Sequence, residues 1–174
     1  MLAYTLLEVA ICLVVITVIT LAAAPSFEAW TARQQMRAAL QSLQQDLLQA
    51  RSAAITQGAE VVACPGGIDS GCRSDRDWSG GWLVFQDFNG DRDLTPTEPV
   101  LRQSPPTERL KVLASGNRPS FRFVPSGGAP GSNGSLYFCG SAGPSAGWRL
   151  VVSNTGRIRR EEYHELEQED CPDN

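Results

Sequence analysis

Histidine is almost missing from this chain. One residue, His164, stands for the whole of its 174 positions, and it lies in a charged run where a solvated role is expected. No nucleophile elbow, phosphate-binding loop or metal motif occurs. The cysteines lack the paired C-x₂₋₄-C spacing of a four-cysteine zinc site. No internal repeat is evident. Residues 161–174 contain no Lys or Arg, only acids among their charges (Glu161, Glu162, Glu165, Glu167, Glu169, Asp170 and Asp173). These absences argue against an enzyme, and no cofactor is expected. Setting the acidic tail aside leaves 15 basic against 12 acidic residues, a balance of +3. A basic segment followed directly by an acidic one marks an interaction surface.

What is present begins with an apolar run. Leu6–Ala24 is long enough for a membrane-spanning helix, which needs ~20 residues for ~30 Å of hydrocarbon. Its one charge is Glu8. A carboxylate inside such a span is costly and marks a function. Beyond Pro25, Met36, Leu40, Leu43, Leu47, Ala50 and Ala54 recur at spacings of three and four, an amphipathic stripe. Arg33, Arg37, Gln41, Gln45, Asp46 and Arg51 form its polar face, and Gly58 is a stop signal. One helix from Tyr4 to Gln57 is therefore expected, with a membrane segment over residues 4–27 and an amphipathic half over 28–58. The rest, 59–174, reads as a β-rich head.

From Ala59 onward, short apolar stretches alternate with Gly, Pro, Ser and Asn clusters. Strands are expected at Glu60–Cys64, Gly81–Gln86, Pro99–Gln103, Arg109–Leu113, Ser120–Val124, Ser135–Cys139, Trp148–Ser153 and Gly156–Arg160. Their spacing near ten residues points to antiparallel sheets or a β-sandwich. The fold class is α+β. Trp30, Trp82 and Trp148 read as core or rim residues, and Trp78, in a polar loop, as the exposed one. With the head outside the membrane, its four cysteines sit in an oxidising compartment. Of three open connectivities, Cys64–Cys72 and Cys139–Cys171 are the pairs expected.

Asp87, Asn89, Asp91, Asp93, Thr95 and Glu98 follow the oxygen-ligand spacing of a calcium loop. Arg92, however, stands at the sixth position, where the sharp turn wants Gly. The reading adopted is a polar hairpin tip without metal.

Ser153-Asn154-Thr155-Gly156 is turn chemistry leading into Arg157-Ile158-Arg159-Arg160. Side chains alternate along a strand, so Arg157 and Arg159 share one face at ~6.6 Å spacing while Ile158 faces the core. Guanidinium forks match phosphate geometry, and each neutralised phosphate releases a counterion. Arg149 and Lys111 extend the patch if the strand order brings them near. The opposing reading is a solvated, charged edge strand, with Arg-x-Arg paired to Glu161 or Glu162.

The greasy helix with an early Glu and a later Pro resembles the N-terminus of type IV pilins and type II secretion pseudopilins. That resemblance implies cleavage by a prepilin peptidase between Ala3 and Tyr4, which stand where the family usually has Gly and Phe. It also implies that Glu8 pairs with the N-terminal amine of a neighbouring subunit during assembly. Trp82-Leu-Val-Phe-Gln-Asp87 with its Asn/Asp-rich turn, Glu98-Pro-Val-Leu-Arg102 and Ser153-Asn-Thr-Gly-Arg-Ile-Arg159 resemble the FimT/GspH branch. Gly156-Arg157-x-Arg159 is similar to the motif by which FimT-like minor pilins bind DNA in natural transformation, with Arg160 adjacent. The resemblance implies double-stranded DNA and other pilin subunits as partners. It also implies an inner-membrane anchor before assembly, a periplasmic head and a place in a filament afterwards. A pseudopilin that binds only other subunits is the alternative.

Overall fold

A computed structural model describes residues 5–107, 110–116, 119–139 and 147–163, with side chains except at 19–26, 28, 29 and 163. The chain divides into two compact units, Met1–Gln34 and Gln35–Asn174. Among the described residues, helix α1, Leu6–Gln57, is followed by nine strands, all paired antiparallel: β1 Glu60–Gly67, β2 Gly71–Cys72, β3 Trp82–Asp87, β4 Val100–Ser104, β5 Lys111–Ala114, β6 Phe121–Phe123, β7 Gly134–Cys139, β8 Gly147–Val152 and β9 Ile158–Tyr163. One sheet has the order β2-β1-β3-β4, with β6 also on β1; the other has the order β5-β7-β8-β9. The α+β class and eight of the strands match the expectation. The ninth, β2, has two residues and no periodicity to read.

In the first unit, Leu6, Leu7, Val9, Ile11, Leu13 and Val14 are all exposed on the helix, as are Cys12 and Glu8. Thr5 caps the helix: its carbonyl accepts the Glu8 N–H at 3.0 Å and its Oγ1 lies 3.4 Å from the same nitrogen. Thr5-x-x-Glu8 has the sequence of a capping box. Among the described residues, no helix is long and apolar enough to cross a membrane. The expected span, 4–27, includes residues whose side chains are not described. Ala3 and Tyr4 lie outside the described residues.

In the second unit, Leu40, Leu43, Leu47, Ala50 and Ala54 are buried, with Met36 packed beside them. They meet the inward faces of both sheets: Val61, Ala63 and Val84 from one, Val112, Leu136, Phe138, Leu150 and Val152 from the other. Each fully buried Leu contributes roughly 1.5–3 kcal/mol of transfer free energy. The first sheet is covered on its second face too, where Val62, Cys64, Leu83 and Phe85 cluster with Leu94 and Val100. Burial on both faces explains why β1 and β3 are apolar almost throughout rather than strictly alternating. The helix ends where Gly58 adopts φ 65° and donates to the Ala54 carbonyl at 3.1 Å.

Two expectations are corrected. Asp46 is not on a solvated face; it is buried, and its Oδ2 accepts the Trp82 Nε1–H at 2.9 Å while Oδ1 lies 3.4 Å from Arg102 Nε. Burial tolerates this carboxylate because both its oxygens are engaged. Trp78 is fully buried, its ring 5.7 Å from that of Phe121, because the loop around it folds back over the core. The disulfide Cys64–Cys72 forms as expected and ties β1 to β2. Cys139 is also disulfide-bonded; Cys171, its expected partner, lies outside the described residues, as does His164.

Candidate nucleic-acid interface

The turn joining β8 to β9 is built by its own polar atoms. Gly156 N–H donates to the Ser153 carbonyl at 2.8 Å, and Ser153 N–H to the Arg157 carbonyl at 3.0 Å. The Ser153 hydroxyl accepts from Arg157 N–H at 3.2 Å and lies 2.8 Å from Thr155 Oγ1. Gly156 takes φ 74° and is buried. A Cβ there would stand 2.0 Å from the Gly127 carbonyl oxygen, so only glycine fits. The tip is docked on the loop 125–131, whose Ala129 N–H donates to the Asn154 carbonyl at 2.8 Å. Arg51 of α1 holds that loop from below, donating Nε–H to the Gly127 carbonyl at 2.8 Å.

The register pairs Val152 with Ile158, Val151 with Arg159, Leu150 with Arg160 and Arg149 with Glu161. Ile158 packs against the core, as its alternation requires. Arg157 and Arg159 are exposed on the other side. The Arg157 guanidinium has no ion pair or hydrogen bond among the described residues. Arg159 is different: its Nε is bound to Glu161 Oε1. Glu161 Oε2 accepts from Arg149 Nε at 2.8 Å and lies 2.6 Å from Nη2. Hydrogen bonds from Arg159 and then Arg149 hold the Glu161 carboxyl below the ordinary glutamate range. Partial burial acts to lower the Arg149 guanidinium, but hydrogen bonds to Glu161 and Tyr137 outweigh it and leave it raised.

The expected patch is therefore only partly assembled. Arg149 adjoins Arg159 through the shared carboxylate. Lys111 pairs with Cys139 on the far edge strand, three strand spacings or ~14 Å from β9. It shares the face but not the neighbourhood. Arg160 is turned the other way, because it alternates with Arg159. Its Nη2 donates to Gln44 Oε1 of α1 at 2.8 Å, and its guanidinium carbon lies 5.9 Å from the centre of the Trp148 ring. Arg160, expected only as a basic neighbour of the motif, thus lies on the opposite face from Arg157 and Arg159.

The acidic loop closes on itself. Asp87, 3 % exposed, accepts Gly90 N–H at 2.7 Å and Arg92 N–H at 3.0 Å, one on each oxygen. Glu98 likewise accepts Phe88 and Thr95 N–H at 2.8 and 2.9 Å. Asn89 Oδ1 takes Asp91 N–H, Asp91 takes Asp93 N–H, and Asp93 takes the amides of Leu94 and Cys72. Arg92 adopts φ 66°, the left-handed turn for which a calcium loop uses glycine. The carboxylates cap backbone amides of a hairpin tip between β3 and β4. Among the described residues, no group of three or more His, Cys, Asp or Glu side chains is placed to hold a metal.

A family model described as type II transport protein GspH matches residues 39–156, ending at the glycine of the turn. No curated protein matches the chain. The fold is similar to the type IV minor pilin FimU of Pseudomonas aeruginosa (strain PAO1), with 21 % identity over 76 % of this chain and 92 % of that one, at a TM-score of 0.61. It is also similar to the minor pseudopilin EpsH from the type 2 secretion system of Vibrio cholerae, with 17 % identity over 73 % and 96 % of the two chains, at a TM-score of 0.53.

Proposed function

The chain belongs to the family of type II transport protein GspH, and on that premise we propose that it is a minor pilin that binds double-stranded DNA, without sequence preference, at the β8–β9 hairpin. The observation that carries the reading is Arg157. It is exposed at the tip of a turn held by five backbone and side-chain contacts, with its guanidinium unengaged among the described residues. Arg159 follows on the same face. A backbone phosphate accepts two parallel N–H bonds from such a fork, and no base edge is needed. The exposed apolar helix of residues 6–18 serves membrane anchoring and then packing among filament subunits. Glu8, also exposed, pairs with a neighbouring subunit's terminal amine after cleavage at Ala3–Tyr4. In natural transformation such a subunit captures DNA at the cell surface.

A second reading has its own support. Glu161 already occupies Arg159 and Arg149, as expected of a structural pseudopilin whose edge strand is charged only to prevent strand addition. Titrating a DNA duplex into the full chain in non-ionic detergent, at low and moderate salt, separates the two. Binding that weakens with salt, and that Arg157→Ala plus Arg159→Ala abolishes in a protein melting like the wild type, supports DNA capture. A folded wild type that binds no duplex leaves the structural subunit.

A further inference from the structure

The β8–β9 hairpin does not touch only its own sheet. Arg51 of α1 lies beneath its tip. The Arg51 Nε is 2.8 Å from the Gly127 carbonyl oxygen and 3.1 Å from the point where a Cβ on Gly156 would stand. Gly156 immediately precedes Arg157. The missing side chain at Gly156 thus leaves room for two things at once: the Gly127 carbonyl and a guanidinium delivered from the helix.

We propose that Arg51 is a third phosphate-binding arginine of this interface, contributed by the helix rather than the hairpin; the inference rests on the DNA-binding reading above. A guanidinium carries five N–H donors in a planar fork. The Arg51 Nε–H is spent on Gly127, which leaves the four donors of its two Nη groups. Among the described residues, Arg51 has no carboxylate partner, unlike Arg159 and Arg149. It is half-buried, so its stem is already ordered by packing, and the Nε bond fixes the plane of the fork. A pre-ordered guanidinium loses less side-chain freedom when it binds than a free one does.

The neighbouring seam agrees in charge. Gln44 lies seven residues before Arg51, two helical turns along the same flank of α1, and it is Gln44 that Arg160 engages. The flank of α1 beside β9 therefore carries Arg51 at one end and meets Arg160 at the other. Glu162 shares the face of Arg160 on β9 and offsets it, which is why Arg51 rather than Arg160 is assigned the contact. A phosphate strand crossing the hairpin tip meets Arg157 from the sheet and Arg51 from the helix.

The test uses the full chain in non-ionic detergent and a short duplex of mixed sequence, with affinity measured across a salt series. For duplex DNA the slope of log affinity against log salt is about 0.9 per phosphate neutralised. Arg51→Gln is expected to lower the magnitude of that slope by about 0.9 in a protein that still unfolds cooperatively, at a lower melting temperature because the Gly127 bond is lost. Arg51→Lys, which keeps the charge, is expected to retain the slope. A well-folded Arg51→Gln with an unchanged slope overturns the proposal. Should Arg51→Gln fail to fold, the unmodified protein answers instead. Phenylglyoxal labelling read by mass spectrometry is expected to show Arg51 protected by bound duplex, and equal labelling with and without duplex overturns the inference. Salt-dependent binding that needs Arg157 but ignores Arg51 defeats this inference alone, whereas a folded wild type that never binds defeats the DNA reading and this inference with it.

Discussion

Glu161 faces Arg149 directly across the β8–β9 ladder, its Oε2 accepting from Arg149 Nε at 2.8 Å while its other oxygen holds Arg159. A carboxylate that binds two guanidinia occupies the groups a phosphate would use. Glu161→Gln is therefore expected to raise duplex affinity several-fold and to steepen its salt dependence, since each added phosphate contact contributes about 0.9 to the slope. The affinities of the two proteins, measured by titration, should converge as pH falls. The Glu161 pKa is depressed in the folded chain, so its ion pairs are fully present above the ordinary glutamate value and vanish as pH drops through the lower, folded one. The stability difference between the two proteins should disappear over the same acidic window. Equal affinities at neutral pH would show that the arginines held by Glu161 take no part in binding.

Gly156→Ala tests whether the turn is as constrained as it looks. A left-handed φ of 74° costs a non-glycine residue about 1–2 kcal/mol, and the added Cβ also collides with the Gly127 backbone oxygen. A loss on the order of 2 kcal/mol or more is expected in chemical denaturation, together with weaker DNA binding as the tip lifts from its loop. A variant as stable as the wild type would mean that the turn relaxes freely.

The Asp46–Trp82 bond is a second buried constraint, 36 residues apart in sequence. Asp46→Ala leaves the indole N–H without its acceptor and is expected to cost about 1–3 kcal/mol. Asp46→Asn keeps an acceptor and should cost less. The ranking of the two melting temperatures is the check, and the reverse order would mean that the asparagine amide does not take over the indole hydrogen bond.

Leu47 and Leu48 are neighbours on α1 with opposite surroundings, fully buried and 44 % exposed. Truncating Leu47 to Ala opens a cavity against both sheets and is expected to cost about 2–5 kcal/mol. The same change at Leu48 should stay within about 0.5 kcal/mol. Similar losses at both sites in denaturant titrations would contradict the packing of the stripe.

The parts of this fold that were legible in the chain are those governed by short periods. The stripe from Met36 to Ala54 repeats at three and four, and it is the buried face of α1. Ile158 alternates with Arg157 and Arg159, and its inward turn followed from that alone. What stayed hidden depends on partners distant in sequence. Asp46 looks like any polar helix residue until Trp82 arrives beside it. Arg51 belongs to the hairpin only because Gly127, 76 residues later, brings its carbonyl to it. Trp78 looked exposed because its neighbours are polar, although the loop they form closes over the core. Lys111 and Arg149 required strand order, which separates one and brings in the other. Arg160 adjoins the motif in sequence, yet the two-residue pleat turns it to the opposite face.

The stripe on α1 also has a timetable. Its partners Leu150 and Val152 are among the last core residues made, Val152 coming 98 residues after Ala54. At ~5–20 residues per second of synthesis, the finished helix waits roughly 5–20 s before its covering strand exists. During that interval the core around Leu40, Leu43 and Leu47 still lacks Leu150 and Val152, the share of the second sheet's cover that β8 supplies. The nascent chain is therefore most vulnerable to wrong association late in its synthesis, and the last strands to emerge are the ones that end the exposure.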